Sequence, residues 1–285
     1  MNAPKIIECP RDAMQGIHDF IPTEVKIDYI NLLLQCGFDT LDFGSFVSPR
    51  AIPQLRDTVE VLSKLNLDDT ETKLLAIVGN LRGANRAADF DEIKYLGFPY
   101  SISEEFLRRN INSSKKDSLQ RIEKIQEICV RSNKELVVYI SMGFGNPYGE
   151  DWNVEIVADA CRELYKDLGI KIISLSDTIG TSNPESIKYL FSNLIPELTD
   201  VEFGAHLHTT PDLWEEKVKA ALDSGCQRFD GALKGYGGCP MAKDELTGNM
   251  ATENIIQCLD DVKIPHNIDM EALQRAMLNS TKVFL

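Results

Sequence analysis

The stretch VEFGAHLHTTPDLWEEKVKAALDSG, residues 201–225, holds one complete strand-and-helix unit, and the rest of the chain repeats its pattern. Its first eight residues are mostly apolar and predict a short β-strand. Thr210-Pro211 is typical of a helix start, apolar residues follow at helical spacing, and Gly225 ends the helix. Positions i and i+2 of a strand face the same side. His206 and His208 are therefore predicted to point the same way from the end of this strand.

Eight apolar runs alternate with helical patterns along the chain. Several are nearly continuous in Val, Ile and Leu, which is typical of parallel strands covered on both faces. This alternation predicts an α/β fold, a (β/α)₈ TIM barrel. The alternative, an open doubly wound sheet, lacks its Gly-x-Gly-x-x-Gly turn after the first strand. The runs cover residues 5–9, 38–46, 73–79, 92–98, 135–142, 170–177, 201–208 and 226–233, and the main helical patterns cover residues 23–37, 118–133, 153–169, 183–198 and 211–225.

Residues 1–285 are predicted to form a single domain, with the barrel over residues 5–262 and a helical segment over residues 268–285. The net charge of −14 argues against a nucleic-acid or anionic-membrane surface. No apolar stretch is long enough to span a membrane, and the first residues do not resemble a secretory signal. The seven cysteines are scattered without a Cys-x-x-Cys pair. A cytoplasmic, reducing location is the resulting expectation.

Polar residues follow the apolar runs, at the barrel face where this fold places its chemistry. Two histidines on one side of a strand end indicate a divalent metal, although two hydrogen-bonded core histidines are the alternative. Asp12, after the first run, is a natural third ligand, and Asn249 could add an amide oxygen. Oxygen and imidazole ligands suit Mg²⁺ or Mn²⁺, and they do not exclude Zn²⁺.

The remaining strand-end residues each allow two interpretations. Arg11 is either part of a structural ion pair or a cation that stabilises an enolate oxygen. Asp42 and Asp177 are helix caps, salt-bridge partners or catalytic carboxylates. Cys239 lies in the glycine-rich stretch GYGGCP, residues 235–240, where it is either a small buried residue or a proton donor on a moving loop.

Taken together, these stretches resemble the 3-hydroxy-3-methylglutaryl-CoA (HMG-CoA) lyase family, whose members are metal-dependent barrels. The resemblance extends from residue 5 to about residue 255 and keeps the order and spacing of the family's motifs. A lone His-x-His pair would be a weak signal, whereas the combination is specific. The motifs are PRDAMQ, SFVSPRAIPQ, NLRGAN, SEEFLRRNINSS, SLSDTIG, HLH, GGCPMA and TGNMATE.

The resemblance implies a role for each matching residue. It implies that Arg11 stabilises the enolate and that Cys239 acts as the loop acid or base, while Asp42 stands at the position of a catalytic glutamate and Asp177 at that of a catalytic aspartate. The implied reaction is cleavage of an acyl-CoA to acetyl-CoA and acetoacetate by a homodimer. The metal ligands are then Asp12, His206, His208 and Asn249, and the candidate partners of the CoA phosphates are Arg50, Arg82, Arg108 and Arg109.

Four positions depart from the family pattern. Thr209 replaces an aspartate beside the histidines, Asp42 is shorter than the usual glutamate, Ser176 replaces a glycine, and Lys234 stands where a small residue is usual. A different acyl substrate or a lower rate is one interpretation, and a non-catalytic metal-binding barrel is another. A Claisen-type synthase of the same barrel family is less favoured, because its loop typically carries Gly-Glu-Arg where this chain has GCP. An aldolase acting on a 4-hydroxy-2-oxo acid is a weaker alternative.

Overall fold

The structure is a computed structural model that describes residues 3–238 and 247–284. Within them, eight parallel strands close into a barrel in chain order, and β1 pairs with both β2 and β8. The predicted (β/α)₈ TIM barrel is confirmed. Seven of the eight apolar runs contain a whole strand, and β4 extends three residues past the end of its run, to Ser101. The strands are β1 (Lys5–Glu8), β2 (Thr40–Ser45), β3 (Lys73–Ile77), β4 (Ile93–Ser101), β5 (Glu135–Ser141), β6 (Ile172–Asp177), β7 (Glu202–Leu207) and β8 (Arg228–Gly231).

Helices cover the outside of the barrel and follow the predicted helical patterns with shifted ends. The helix that follows β7 begins at Trp214 rather than at residue 211, because residues Thr210 to Leu213 form a turn first. The helices are α1 (Pro10–Gln15), α2 (Thr23–Leu33), α3 (Thr58–Leu62), α4 (Leu81–Ala88), α5 (Glu104–Ile111), α6 (Lys115–Arg131), α7 (Val154–Lys166), α8 (Pro184–Glu197), α9 (Trp214–Asp223), α10 (Thr252–Asp261), α11 (Met270–Asn279) and α12 (Thr281–Phe284), and two short 3₁₀ helices span Pro53–Leu55 and Leu233–Gly235.

The strands are buried on both faces, which explains their continuous apolar sequences. All residues of β2, β6 and β8 are buried. One apolar cluster contains Leu75, Val137, Tyr139 and Ile172, residues of β3, β5 and β6. A much larger cluster joins the strands to the surrounding helices. The packing thus holds the strand ends rigidly, and the residues that follow them converge at one face of the barrel.

Helices α11 and α12 occupy the segment predicted as helical after the barrel, and both contact α2. In the part of the chain that the structure describes, no helix combines the length and the apolar character that a membrane span requires.

Candidate active site

A pocket lies at the carboxyl ends of the strands, and its two sides differ in character. One side is polar and carries the residues predicted to bind metal. The rest of the lining is mostly apolar and comes from the ends of β3 to β5, from α5 and from the segment after β2. The polar side includes Arg11, Asp12, Gln15, Ser141, Ser176, Thr178, His206 and His208, and the apolar wall includes Val47, Ile52, Ile77, Phe106, Ile111 and Tyr139.

Asp12, His206 and His208 come together as the sequence predicted. Each offers one ligand atom, and the three atoms lie within 4.8 Å of one another. Asp12 is held by the short helix after β1, whereas the histidines stand at the end of β7. The Nδ1 atom of His208 is buried and has no hydrogen-bond partner among the described residues. A carboxylate oxygen and two imidazoles at this separation fit a divalent cation.

Asn249 lies beside this cluster, and its hydrogen bonds orient its amide. His208 and Asn249 pair as an isolated antiparallel β-bridge. The Nδ2 atom of Asn249 donates to Asp12 Oδ2 at 2.9 Å and to the carbonyl oxygen of Tyr236 at 2.9 Å. Both amide hydrogens are therefore engaged, and the Oδ1 atom is the group left to bind a ligand.

Asp230 was missed by the sequence analysis, yet it contacts a predicted metal ligand. Its Oδ2 atom lies 3.1 Å from Nδ1 of His206, and Ser174 Oγ donates to the same oxygen at 3.4 Å. Cys9, His206 and Asp230 also lie within 4.8 Å of one another. Because Asp230 occupies Nδ1, His206 has Nε2 left for a metal, and this is the arrangement that orients metal-binding histidines in many proteins. Asp230 is a single aspartate within a strand, so neither periodicity nor a motif could have identified it.

Arg11 forms a buried network with two carboxylates. Its Nε atom donates to Asp42 Oδ2 at 2.9 Å, its Nη2 atom donates to the same oxygen, and its Nη1 atom donates to Asp12 Oδ1 at 2.8 Å and to Gln15 Oε1 at 3.0 Å. Burial raises the pKa of Asp42 to about 6, although Arg11 opposes the shift. Burial also works against a charged Arg11, but Asp42 and Asp12 raise its pKa above the ordinary value. Arg11 is thus a fixed cation on the pocket wall.

The pKa values of the two histidines are shifted in opposite directions. Burial and the neighbouring His206 lower the pKa of His208 to about 4, so its ring is neutral near pH 7. Burial alone would lower the pKa of His206, but the hydrogen bond and charge of Asp230 raise it. Burial alone would raise the pKa of Asp12, but Arg11 and both histidines lower it. The cluster therefore offers an ionised carboxylate and a neutral imidazole, the forms that bind metals.

Asp177 lies behind the pocket. Its Oδ1 atom accepts from the Thr181 backbone N–H at 2.8 Å, and its Oδ2 atom accepts from Ser182 Oγ at 2.5 Å and from Lys217 Nζ at 3.0 Å. Lys217 was not predicted as a site residue. It also donates to the carbonyl oxygen of His208 at 2.8 Å, so the pair links the ends of β6 and β7. The direct catalytic role implied for Asp177 stays a prediction, and the structure assigns it these structural contacts.

The other predicted residues are outside the cluster. Cys239 lies outside the described residues. The four candidate partners of the CoA phosphates are exposed, and none lines the pocket. Both Arg108 and Arg109 pair with Glu105, the latter at 2.5 Å. Arg50 directly precedes two pocket residues, Ala51 and Ile52, and Arg82 lies on α4. Their role in binding CoA stays a prediction.

Known proteins are similar to this chain over nearly its whole length. The HMGL-like family profile matches residues 4–278. A hydroxymethylglutaryl-CoA lyase of Bacillus subtilis is 34% identical over 267 residues, which cover 94% of this chain and 88% of the relative. A 3-hydroxy-3-isohexenylglutaryl-CoA/hydroxymethylglutaryl-CoA lyase of Pseudomonas aeruginosa is 33% identical over 277 residues, which cover 96% of this chain and 91% of the relative.

A solved structure shows the same fold over nearly the whole chain. It is an HMG-CoA lyase of Acinetobacter baumannii in complex with coenzyme A and 3-methylmalate. The TM-score is 0.91 at 31% sequence identity, and the superposition covers 99% of this chain and 91% of that structure. The family resemblance predicted from the motifs is thereby confirmed. With a matching profile over almost all of its residues and relatives above 30% identity, this chain belongs to the HMGL-like family.

Proposed function

We propose that this chain is a metal-dependent carbon–carbon lyase that cleaves 3-hydroxy-3-methylglutaryl-CoA, or a closely related 3-hydroxyacyl-CoA, to acetyl-CoA and acetoacetate. The observation that supports the proposal most directly is the position of the candidate metal ligands. Asp12, His206 and His208 converge within 4.8 Å beside the fixed cation Arg11 at the polar side of a pocket whose other wall is mostly apolar. The family membership and the named relatives support the same chemistry.

Asp12, His206, His208 and the Oδ1 atom of Asn249 would hold the divalent cation. Mg²⁺ and Mn²⁺ fit this set of oxygen and imidazole donors, and Zn²⁺ is the competitor that affinity measurements must separate. When bound, the cation would lower the pKa of the substrate's tertiary hydroxyl. Asp230 keeps His206 in the orientation that directs Nε2 to the site.

The chain's own residues account for the charge that develops during cleavage. A base removes the hydroxyl proton, the bond between the hydroxyl-bearing carbon and the carbon next to the thioester breaks, and its electron pair moves into the thioester as an enolate. Arg11 faces the pocket and stabilises that enolate oxygen. Asp42 and Asp12 hold the guanidinium in place. An acid, for which Cys239 is the proposed group, then protonates the enolate carbon.

The deciding measurement is acetoacetate production from HMG-CoA by the Mn²⁺-loaded protein. His206→Ala removes one proposed ligand and should abolish product. His18→Ala is the matched control, because that histidine is fully exposed and should leave the rate unchanged. Absence of product with the acyl-CoA still bound would contradict the proposed reaction. Related 3-hydroxyacyl-CoA esters with longer side chains, and acetyl-CoA with 2-oxo acids, would then test a changed substrate and a synthase.

The assembly and location are further parts of the proposal. The six described cysteines are all buried and unpaired, which supports a reducing, cytoplasmic compartment. A homodimer is proposed on the family resemblance alone. Light scattering on the purified protein would give its molar mass, and a value near 32.0 kDa, the mass of one chain, would contradict the dimer.

A further inference from the structure

The backbone of residues 235–237 lies directly against two candidate metal ligands. Gly235 and Gly237 have φ values of +65° and +95°, which favour glycine. A Cβ atom on Gly237 would lie 2.8 Å from Ala13 Cα, 2.8 Å from Asn249 Nδ2 and 3.0 Å from the carbonyl oxygen of Asp12. Only glycine therefore permits this approach, and the short segment packs against Asn249 and the backbone of Asp12.

The side chain of Tyr236 contacts a different part of the molecule. Its ring stacks on Phe284 with a centroid separation of 4.3 Å and an interplanar angle of 19°. Phe284 in turn contacts the ring of Tyr29 edge-on, at 5.9 Å and 86°. Tyr29 belongs to α2 and is 1% exposed. Through these two contacts, α12 links Tyr236 to the helical layer of the barrel.

The carbonyl group of Tyr236 connects this aromatic contact to the cluster. It accepts a hydrogen bond from Asn249 Nδ2, the atom that also donates to Asp12 Oδ2. We propose that Phe284 is a positioning residue for the metal site: its ring fixes Tyr236, whose carbonyl group keeps the Asn249 amide turned with Oδ1 toward the ligand. The inference rests on the proposed function, because it assumes that Asn249 binds the metal.

Rotation of the Asn249 side-chain amide would change which of its atoms faces the metal. The oxygen and nitrogen of an asparagine amide exchange places on rotation, and only the oxygen can bind a cation. Two acceptors, Asp12 Oδ2 and the Tyr236 carbonyl group, select the productive orientation. If Tyr236 shifts, one acceptor is lost and the amide samples the unproductive orientation, so metal affinity falls while the other ligands remain.

The test is the Mn²⁺ dissociation constant of the full chain, measured by electron paramagnetic resonance of free Mn²⁺. Phe284→Leu keeps an apolar side chain but removes the stacking, and Mn²⁺ binding should weaken roughly fivefold. Phe284→Tyr retains the ring and should restore wild-type affinity. Val283→Ala is the matched control, since Val283 is buried on the same helix and takes no part in the stacking. It leaves the Phe284 ring and its two aromatic contacts in place and should leave the affinity unchanged.

A double-mutant comparison separates positioning from general loosening. In an Asn249→Ala background, Phe284→Leu should have no further effect on Mn²⁺ affinity, because the amide through which it acts is gone. Unchanged affinity in Phe284→Leu, or an equal loss in Val283→Ala, would overturn the inference alone. Failure of the wild-type chain to bind Mn²⁺ more tightly than His206→Ala would overturn the proposed metal site and this inference with it.

Discussion

Replacement of Lys217 by methionine should destabilise the protein strongly, because this lysine is a buried cation with three acceptors. Its Nζ atom lies 3.0 Å from Asp177 Oδ2, 3.1 Å from the Gly180 carbonyl oxygen and 2.8 Å from the His208 carbonyl oxygen. The side chains of Lys217 and Asp177 are 1% and 0% exposed. Methionine fills a similar volume but leaves a buried carboxylate without its counter-charge.

The expected magnitude follows from that geometry. Removing one partner of a buried ion pair costs about 3–5 kcal/mol, since the remaining charge stays desolvated. For a chain of this size, each kcal/mol lowers the melting temperature by about 2–4 °C. A fall of about 6–20 °C is expected for Lys217→Met if unfolding is reversible. Because Lys217 also holds the carbonyl group of His208, the variant should lose Mn²⁺ affinity as well.

Lys219→Met is the matched control, as it makes the same substitution two residues further along α9. Lys219 pairs with Glu215 at the surface, where the two side chains are 43% and 53% exposed. A surface ion pair of this kind stabilises the protein by under about 1 kcal/mol, so the melting temperature of Lys219→Met should differ little from that of the wild type. Calorimetry on the two variants measures the difference. Equal melting temperatures would refute the view that the ion pair with Asp177 supports the ends of β6 and β7.

Two further variants test the site, and a third tests a buried carboxyl group in β1. Asp230→Asn should weaken Mn²⁺ binding about tenfold in a titration, because an amide is a weaker acceptor than a carboxylate for the His206 ring N–H. Ser174→Ala is the control, and equal Mn²⁺ affinity in the two variants would contradict this. Arg11→Lys should lower kcat for HMG-CoA cleavage about 100-fold, because an ammonium group cannot reproduce the contacts of the guanidinium with Asp42. A near-normal kcat would exclude enolate stabilisation by Arg11. Burial raises the pKa of Glu8 from 4.5 to about 8. The neutral form of Glu8 therefore stabilises the fold fully below pH 4.5, and this stabilisation is lost as the pH rises through 8. Thermal melts should show wild type losing stability relative to Glu8→Gln over this window, and parallel curves would contradict the shift.

The fold was predictable because its signals are local. Each strand is buried on both faces, so its apolar residues are contiguous, and each helix carries apolar residues at its own period. The helix ends were less predictable. The helix after β7 starts at Trp214, since the turn after Thr210 satisfies the backbone first, and the helix after α5 starts at Lys115, where the Ser114 side chain caps it. Such hydrogen bonds depend on short-range geometry that periodicity does not encode.

The candidate site was predictable where its residues lie at or just after the ends of strands. Asp12, His206 and His208 were identified this way, and the structure brings them together. Asp230 and Lys217 were not identified. A single aspartate within a strand and a lysine on an otherwise amphipathic helix carry no distinctive pattern, and their roles depend on contacts with residues 24 and 40 positions away.

The sequence by itself determined the number and order of the strand-and-helix units, the family and most of the candidate ligands, because these depend on neighbouring residues and on motifs in fixed order. Only the tertiary structure decided which groups act on one another. Barrel closure places β1 beside β8, and thereby puts Asp12 within 2.9 Å of Asn249, 237 residues later in the chain. It also turned Asp177 toward Lys217 and left Arg11 at the pocket wall. Burial and pairing of charges arise from this long-range packing, and they set the protonation of each group.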